Sequence, residues 1–510
     1  MRGRTRPDIL LIVIDCGRGF DLPGGIDPVE DLPFLQQLRQ ECLAFSQALS
    51  PSPWTVPGHA SLFTGLDPWE HGVHMKSRLE LPRSVPTLAE RLSEMGYSCL
   101  SLSANGFLST ELGLIRGFSD AAWGTWWEKF LRSPARTEPW NCTWEKVTPD
   151  PRQTREVTPG VGSPMARVAR LGHRLVEGKD PPWMGPAMNL INREIRRRRP
   201  VPGPGPLPIS PWIEPTFDRW ISERSSEEPV FCFVNLLDAH EPYLADPGDF
   251  PTLRAWTRHA FQRTDKLAFY ARKWQPSDEE FRRLHLLYRR SLRRIDARIA
   301  AIVASLRKSQ RWKNTLMVLT GDHGQAFGER GYLFHAARLW ESVLRVPLWV
   351  RWPEGTPAGR TCETAASLVD VAPTVLEAVG SPGGLAGYGR SLRGLPGTTR
   401  PRPLVALGDG LQGKAMLEKV SPESFRPWDG SWVAVYQGPR KLLWDVENSQ
   451  ALGFQVDTDP WERRDLLPHA NPGWETALGT AKEHAERLGA RAPPSLAPEV
   501  DKLLRSWGYD

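Results

Sequence analysis

The sequence predicts an α/β protein built on a large, mostly parallel central sheet flanked by helices, and three observations carry that expectation. Strand-like apolar runs alternate with helical periodicity from the N-terminus to about residue 115. The runs are continuously hydrophobic, as strands buried on both faces of a parallel sheet are. Several of them end in residues able to do chemistry: Ile9 to Ile14 runs into Asp15, Val230 to Leu237 into Asp238-Ala239-His240, and Thr315 to Thr320 into Gly321-Asp322-His323-Gly324. Ligands in open α/β sheets gather outside the carboxyl ends of the strands. Together with Ser50 to His59, which opens a helix-like segment, these stretches read as one metal-centred hydrolytic site.

The elements follow in order. Ile9 to Ile14 is a buried strand, although Arg2, Arg4 and Arg6 before it imitate a secretory leader; its six apolar residues before Asp15 fall short of a signal-peptide core. Pro86 to Leu92 starts a helix with proline and threonine at its head, Gly96 closes it, and Tyr97 to Leu102 is the next strand. From about 121 to 228 the pattern gives way to tryptophan, arginine and proline, including Arg196-Arg197-Arg198-Arg199 and a Pro/Gly stretch from Pro200 to Pro208; this reads as an insertion. Residues 277 to 308 place Leu284, Leu287, Leu292, Ile295, Ile299 and Ile302 at helical spacing. Leu316 to Leu319 and Val346 to Val350 are further buried strands. Beyond about residue 400, Trp432 to Tyr436 and Lys441 to Trp444 point to a small antiparallel subdomain with a terminal helix, so residues 1–400 and 401–510 are the expected domains.

With 40% apolar and 24% charged residues, the 510-residue chain has the composition of a soluble globular protein. No run reaches the length of a membrane span. The net charge of +6, mostly arginine, permits attraction of an anionic substrate, and a nucleic-acid role for the arginine run is the minor reading beside a solvated helix end. Cys16, Cys42, Cys99, Cys142, Cys232 and Cys362 form no Cys-x-x-Cys pair and read as isolated thiols. A reducing, cytoplasmic setting is the expectation.

Taken one at a time, the candidate residues leave alternatives open. Asp15, beside Gly17, suits a hard cation or a capping role. Thr55 heads a helix, where local sequence favours an N-cap, although the same position could aim its hydroxyl into a site lined by helix-terminal amides. Asp322-His323 between glycines is poor core material and a good ligand pair. His335 is a lone histidine whose meaning depends on its neighbours.

The motifs together resemble the sulfatase branch of the alkaline phosphatase superfamily. The matching segments are Pro7 to Leu10 with Asp15, Thr55 to Gly65, Glu70-His71-Gly72-Val73, Ser103 to Leu108, Asp238 to Tyr243, Gly321 to Gly324 with His335, Arg345-Val346-Pro347, Ser367 to Thr374, and the ending Leu504 to Tyr509. The resemblance implies an alkaline-phosphatase-like sandwich. It also implies a nucleophile at Thr55 and a divalent cation held by Asp15, Thr55, Asp322 and His323. His240 and His335 would contact the transferred group or assist the leaving group, and Lys76 would be a polar substrate contact.

Sulfatases of this branch oxidise cysteine or serine to formylglycine within a Cys/Ser-x-Pro-x-Arg motif. Here the residues are Thr55-Val56-Pro57-Gly58-His59, so His59 stands at the arginine position of the expected catalytic set. Oxidised threonine would give a ketone, and formylglycine is therefore not expected. Threonine is the nucleophile of phosphodiesterase and phosphoglycerol-transferase relatives, which favours phosphoryl over sulfuryl transfer. Phe20 and Asp21 occupy the region where many relatives carry a second acid, and Asp238 lacks an Asp-x-x-x-His partner, so one cation, or a weak second site, is expected. Histidine at 323 favours manganese or zinc, with calcium or magnesium as alternatives. The expected substrate is a small or head-group anionic ester. A head-group transferase and a metal-binding pseudoenzyme are the alternative functions.

Overall fold

The computed structural model describes residues 6–74, 77–123, 212–241, 243, 269–270, 272, 274–353, 355, 359–381, 387, 389–394, 402–410, 430–467 and 473–489. Lys76, Cys142, the arginine run, the Pro/Gly stretch and the Leu504 to Tyr509 ending lie outside these residues.

The expected strands form. In chain order those of the central sheet are β1 (Asp8–Ile14), β2 (Leu43–Phe45), β3 (Ser98–Ser103), β4 (Asp120–Trp123), β5 (Val230–Leu236), β6 (Thr315–Gly321), β7 (Leu348–Arg351) and β8 (Thr361–Cys362). Their spatial order is β8-β2-β7-β6-β1-β5-β3-β4, and only β7 runs against its neighbours. β1 lies between β5 and β6, with Ile14 opposite both Leu236 and Gly321. The three carboxyl ends are therefore level, which is what lets their trailing residues meet.

Alternation along β1 explains its unbroken apolar run. Leu10, Ile12 and Ile14 enter one core, while Ile9, Leu11 and Val13 enter the other. The helices named here are α1 (Thr55–Thr64), α2 (Leu88–Glu94), α3 (Ile213–Ser222), α4 (Asp278–Lys308), α5 (Val371–Ala378) and α6 (Glu475–Gly489). The first core takes Phe217 and Trp220 of α3 with Leu287, Leu292, Ile295 and Ile299 of α4. The second takes Val56, Ala60 and Phe63 of α1 with Leu88 of α2 and Val375 of α5. Helices on both faces of the sheet make the expected sandwich.

The local signals behind these helices are explicit. Ser277 caps α4 in a reciprocal box with Glu280; three acids fill its first turn, and Arg307 and Lys308 its last, complementing the helix dipole. Thr87 and Glu90 form the same box on α2, and Gly96 follows at φ +84°.

The region read as an insertion is shorter than 121–228. Asp120–Trp123 pairs parallel with β3, and α3 packs on the sheet. The Trp220 indole donates to Asp120 Oδ2 (2.9 Å), joining the two ends. Tryptophan-rich composition concealed these elements because α3 is too short to display a long helical period.

Strands β9 (Leu404–Asp409), β10 (Ser431–Gln437), β11 (Arg440–Asp445) and β12 (Gln450–Gln455) form an antiparallel sheet in sequential order. Leu407, Val433, Val435 and Leu442 pack there with Ala477 and Ala481 of α6. A small antiparallel subdomain with a helix is thus present. No helix among the described residues is long and apolar enough to cross a membrane.

Candidate active site

Asp15 leaves the end of β1 and Asp322 the end of β6, so two carboxylates emerge from adjacent strands. Gly321 makes the junction possible, because a Cβ there would lie 2.6 Å from Gly17 O. Asp322 Oδ1 accepts from the backbone N–H groups of Cys16 (3.1 Å) and His323 (2.9 Å). Its other oxygen, Oδ2, is buried and accepts no hydrogen bond. Asp15 Oδ2 accepts from Asn105 Nδ2 (2.7 Å) and Asn235 Nδ2 (3.4 Å). Burial, and then the charge of Asp15, hold the Asp322 carboxyl well above the usual carboxylate range.

His323 Nδ1 donates to Gly324 O (2.9 Å), which fixes the tautomer and leaves a lone pair on Nε2. That nitrogen lies 3.3 Å from Thr55 Oγ1 and 3.4 Å from Asp322 Oδ2. Burial pushes His323 down to about 4, so the ring is neutral near pH 7.

Thr55 does not cap α1. The N-cap is Trp54, in extended conformation, and Thr55 is the first helical residue. Thr55 is 1% exposed and its hydroxyl meets His323, because this helix end abuts the Asp322 loop: a Cβ at Gly58 would lie 3.0 Å from Asp322 O. Capping was the favoured local reading, and tertiary contact overrides it.

His59, one turn along α1, places Nδ1 2.9 Å from Thr55 O and 3.6 Å from Asp322 Oδ2. Its Nε2 meets Asn235 Nδ2 at 3.4 Å, and burial lowers its pKa. It is fully buried. His335 is buried with its ring centre 4.5 Å from that of His323 and 5.2 Å from that of His240, whose side chain is a quarter exposed. The structure therefore gathers Asp15, Thr55, His59, His240, Asp322, His323 and His335, while Lys76 falls outside the described residues.

Three further residues belong here that the sequence reading did not select. Cys16, read as an isolated thiol, places Sγ 3.7 Å from both Asp15 Oδ1 and His335 Nδ1. Gln325 Oε1 accepts from His335 Nδ1 (2.7 Å), and its Nε2 donates to Glu241 Oε2 (2.8 Å) and Tyr243 Oη (2.6 Å). Adjacency to Asp15, His240 and His323 was the available signal for Cys16, Glu241 and Gln325. By contrast, Asp21 is engaged by Arg18 and His285 (2.8 Å each), and Asp238 by Arg298 (3.2 Å), so both acids serve ion pairs. Positive φ at Cys16 (58°) follows Asp15, and at Phe334 (70°) and Ala336 (92°) flanks His335, backbone strain of the kind that gathers at functional sites.

These residues fit a divalent cation. Asp15, Cys16 and His323 bring ligand atoms within 4.8 Å of one another, and the buried, unbonded Asp322 Oδ2 adjoins His323. A buried carboxylate pair without compensating charge is costly, whereas carboxylate oxygen and imidazole nitrogen are a standard donor set.

The sequence matches the Sulfatase family over residues 7–381. It is 25% identical to a mouse (Mus musculus) steryl-sulfatase, across 98% of this chain and 86% of that protein. It is 23% identical to a choline-sulfatase of Rhizobium meliloti, across 93% and 85%. Among solved structures, the phosphonate monoester hydrolase of Agrobacterium radiobacter superposes with a TM-score of 0.63 at 18% identity, covering 95% of this chain and 96% of that one. A 2-O GAG sulfatase gives the same TM-score at 14% identity, covering 95% and 93%. The chain belongs to the Sulfatase family and has the fold of the alkaline-phosphatase-like hydrolases.

Proposed function

We propose that this chain is a metal-dependent ester hydrolase whose nucleophile is the Thr55 hydroxyl and whose preferred substrate is a phosphate, phosphodiester or phosphonate ester. The observation that carries this reading is the placement of Thr55 Oγ1, buried at the head of α1 and 3.3 Å from a neutral imidazole nitrogen instead of spent on a cap. A threonine side chain cannot yield the aldehyde on which formylglycine chemistry depends. A divalent cation held by Asp15, Asp322 and His323 would supply positive charge that favours an alkoxide and the charge developing on the transferred group.

The residues divide the remaining work. Thr55 Oγ1, its proton released to solvent as the alkoxide forms, attacks phosphorus in line; the new O–P bond forms as the bond to the leaving oxygen breaks, leaving a phosphothreonine. His240 and His335 face the departing alkoxide, and one of them gives it a proton, a contribution of roughly 10²–10⁴-fold. Water then attacks phosphorus and restores the hydroxyl. Asn105, Asn235 and His59 hold Asp15 and the first turn of α1 in position throughout.

Sulfate-ester hydrolysis through the same hydroxyl is the second reading, favoured by the similarity to steryl- and choline-sulfatase. Aryl phosphate monoester, diester, phosphonate and sulfate substrates, each assayed with manganese, zinc and calcium, separate the two. Thr55→Ala should lose turnover on every active substrate and keep its metal content. Undiminished turnover would refute the nucleophile. Stoichiometric transfer to an added alcohol with little hydrolysis would mark a transferase, and inactivity with no bound metal a pseudoenzyme.

A further inference from the structure

A pocket lies toward the β8 edge of the central sheet, apart from the residues around Thr55. Its volume is about 150 Å³, and it is bounded by loop 22–26, by β2, β7 and β8, and by segment 345–347. None of the residues gathered at the candidate active site lines it. We propose that this pocket binds a small organic anion of benzene size. Arg39 and Arg345 would hold its oxyanion head, and Leu22, Ile26, Pro347 and Trp349 its apolar body.

The charge of the pocket follows from its two arginines. Arg39 ends the short helix Pro33–Arg39, and its Nη2 donates to Thr361 Oγ1 (2.8 Å). The adjoining Nε is buried and meets no acceptor, and among the described residues this guanidinium has no acid partner. A buried donor left unpaired is costly, and an anion accepting from that edge would remove the cost. The loop is shaped to lie on the same guanidinium: Gly24 has φ +87°, and a Cβ there would sit 2.6 Å from Arg39 Nε. Arg345, whose side chain is 11% exposed, spends Nε on Glu341 Oε2 (2.9 Å). Among the described residues its two Nη groups meet no acceptor. Two guanidinium groups thus share one carboxylate, which leaves the pocket positive. Their forked N–H pairs match the oxygens of a carboxylate, phosphate or sulfate group.

Volume and the remaining lining define the body of the ligand. A cavity of about 150 Å³ admits a molecule the size of benzene. Ile26 is 42% exposed, one of two large apolar side chains in that state among the described residues, and a bound ring would cover it. Inorganic phosphate would satisfy the arginines and leave the apolar wall wet. An aryl carboxylate matches both halves, as ligands of mixed apolar and polar pockets do.

This site goes beyond the Thr55 reading, and binding in place of turnover tests it. Isothermal titration calorimetry on the full chain compares benzoate with benzyl alcohol and benzylamine, which share its ring and differ in charge. The expected result is one benzoate per chain, benzyl alcohol about tenfold weaker, and no binding of benzylamine. Arg39→Gln should weaken benzoate about tenfold as well. Ile26→Glu, at an exposed position, should abolish binding by placing a carboxylate beside the arginines. Thr55→Ala and Asp322→Asn should bind benzoate as the wild type does, so failure of the Thr55 mechanism leaves this result untouched. Absence of benzoate binding by the wild type would overturn the proposal and needs no variant to fold. So would equal binding of benzylamine, or loss of benzoate in Asp322→Asn with none in Arg39→Gln and Ile26→Glu.

Discussion

Lys441→Met tests whether the C-terminal sheet holds the Asp322–His323 loop in place. The Lys441 ammonium is fully buried, donates to Leu339 O (2.6 Å) and Glu341 Oε1 (3.1 Å), and forms an ion pair with Glu462 Oε1 (2.7 Å). Glu341 also accepts from Tyr436 and, through Oε2, from Arg345 Nε (2.9 Å), while its backbone N–H donates to Glu462 Oε2 (2.8 Å). The segment beginning at Glu341 offers Val343 O to Gly324 N (2.6 Å) and Ser342 O to Gln325 N (2.9 Å), the residues that follow His323. Methionine retains most of the apolar stem and removes the charge, leaving two buried carboxylates with only Arg345 on Glu341. Breaking a buried pair in this way costs about 3–5 kcal/mol. Partial relief by protonation of Glu462 places the expectation near the lower end at pH 7. Urea unfolding followed by tryptophan fluorescence, with metal content measured in parallel, reads both consequences. Adding Glu462→Gln removes one stranded charge, so the double variant should be more stable than Lys441→Met alone. A cost below about 1 kcal/mol, or strict additivity of the two substitutions, would refute the charge argument.

Other consequences follow from the same geometry. Burial and then the neighbouring Glu341 charge, against the lowering effect of Lys441, leave the Glu462 carboxyl raised to about 7. A carboxyl raised in the folded state contributes stability fully below its unfolded value near 4.5 and loses it as pH rises through about 7. Wild type should therefore lose up to about 3 kcal/mol relative to Glu462→Gln between pH 5 and 8; an unchanging difference in unfolding free energy would count against this. Gly324→Ala puts a Cβ 2.3 Å from Ser342 O, so we expect loss of bound metal and a lower melting temperature, and a normal metal content would contradict the close packing. Phe233→Ala opens a hole beside Phe63 and Phe118 in a fully buried cluster and should cost about 3–5 kcal/mol, read by chemical denaturation.

Much of the architecture was legible because its signals are local. Continuous apolar runs are what two-faced burial demands of β1, β5 and β6, and capping boxes at Thr87 and Ser277 mark helix starts without reference to the rest of the chain. Asp15, Asp322 and His323 were visible for the same reason, as polar residues at the ends of such runs. The short elements at Asp120–Trp123 and Ile213–Ser222 escaped because their meaning lies in a shared partner, the Asp120–Trp220 hydrogen bond, separated by about a hundred residues.

The sequence by itself determined the sandwich, the extents of α2 and α4 and most of the residues that meet at the strand ends, since hydrophobic period and chain reversal are properties of neighbouring residues. Only the tertiary structure decided that Thr55 turns from capping to His323, that Cys16 lies in the donor group of Asp15 and His323, and that Asp21 and Asp238 are consumed by arginines. Those outcomes depend on which groups compete for a side chain in space, and strand pairing brings the competitors from distant parts of the chain.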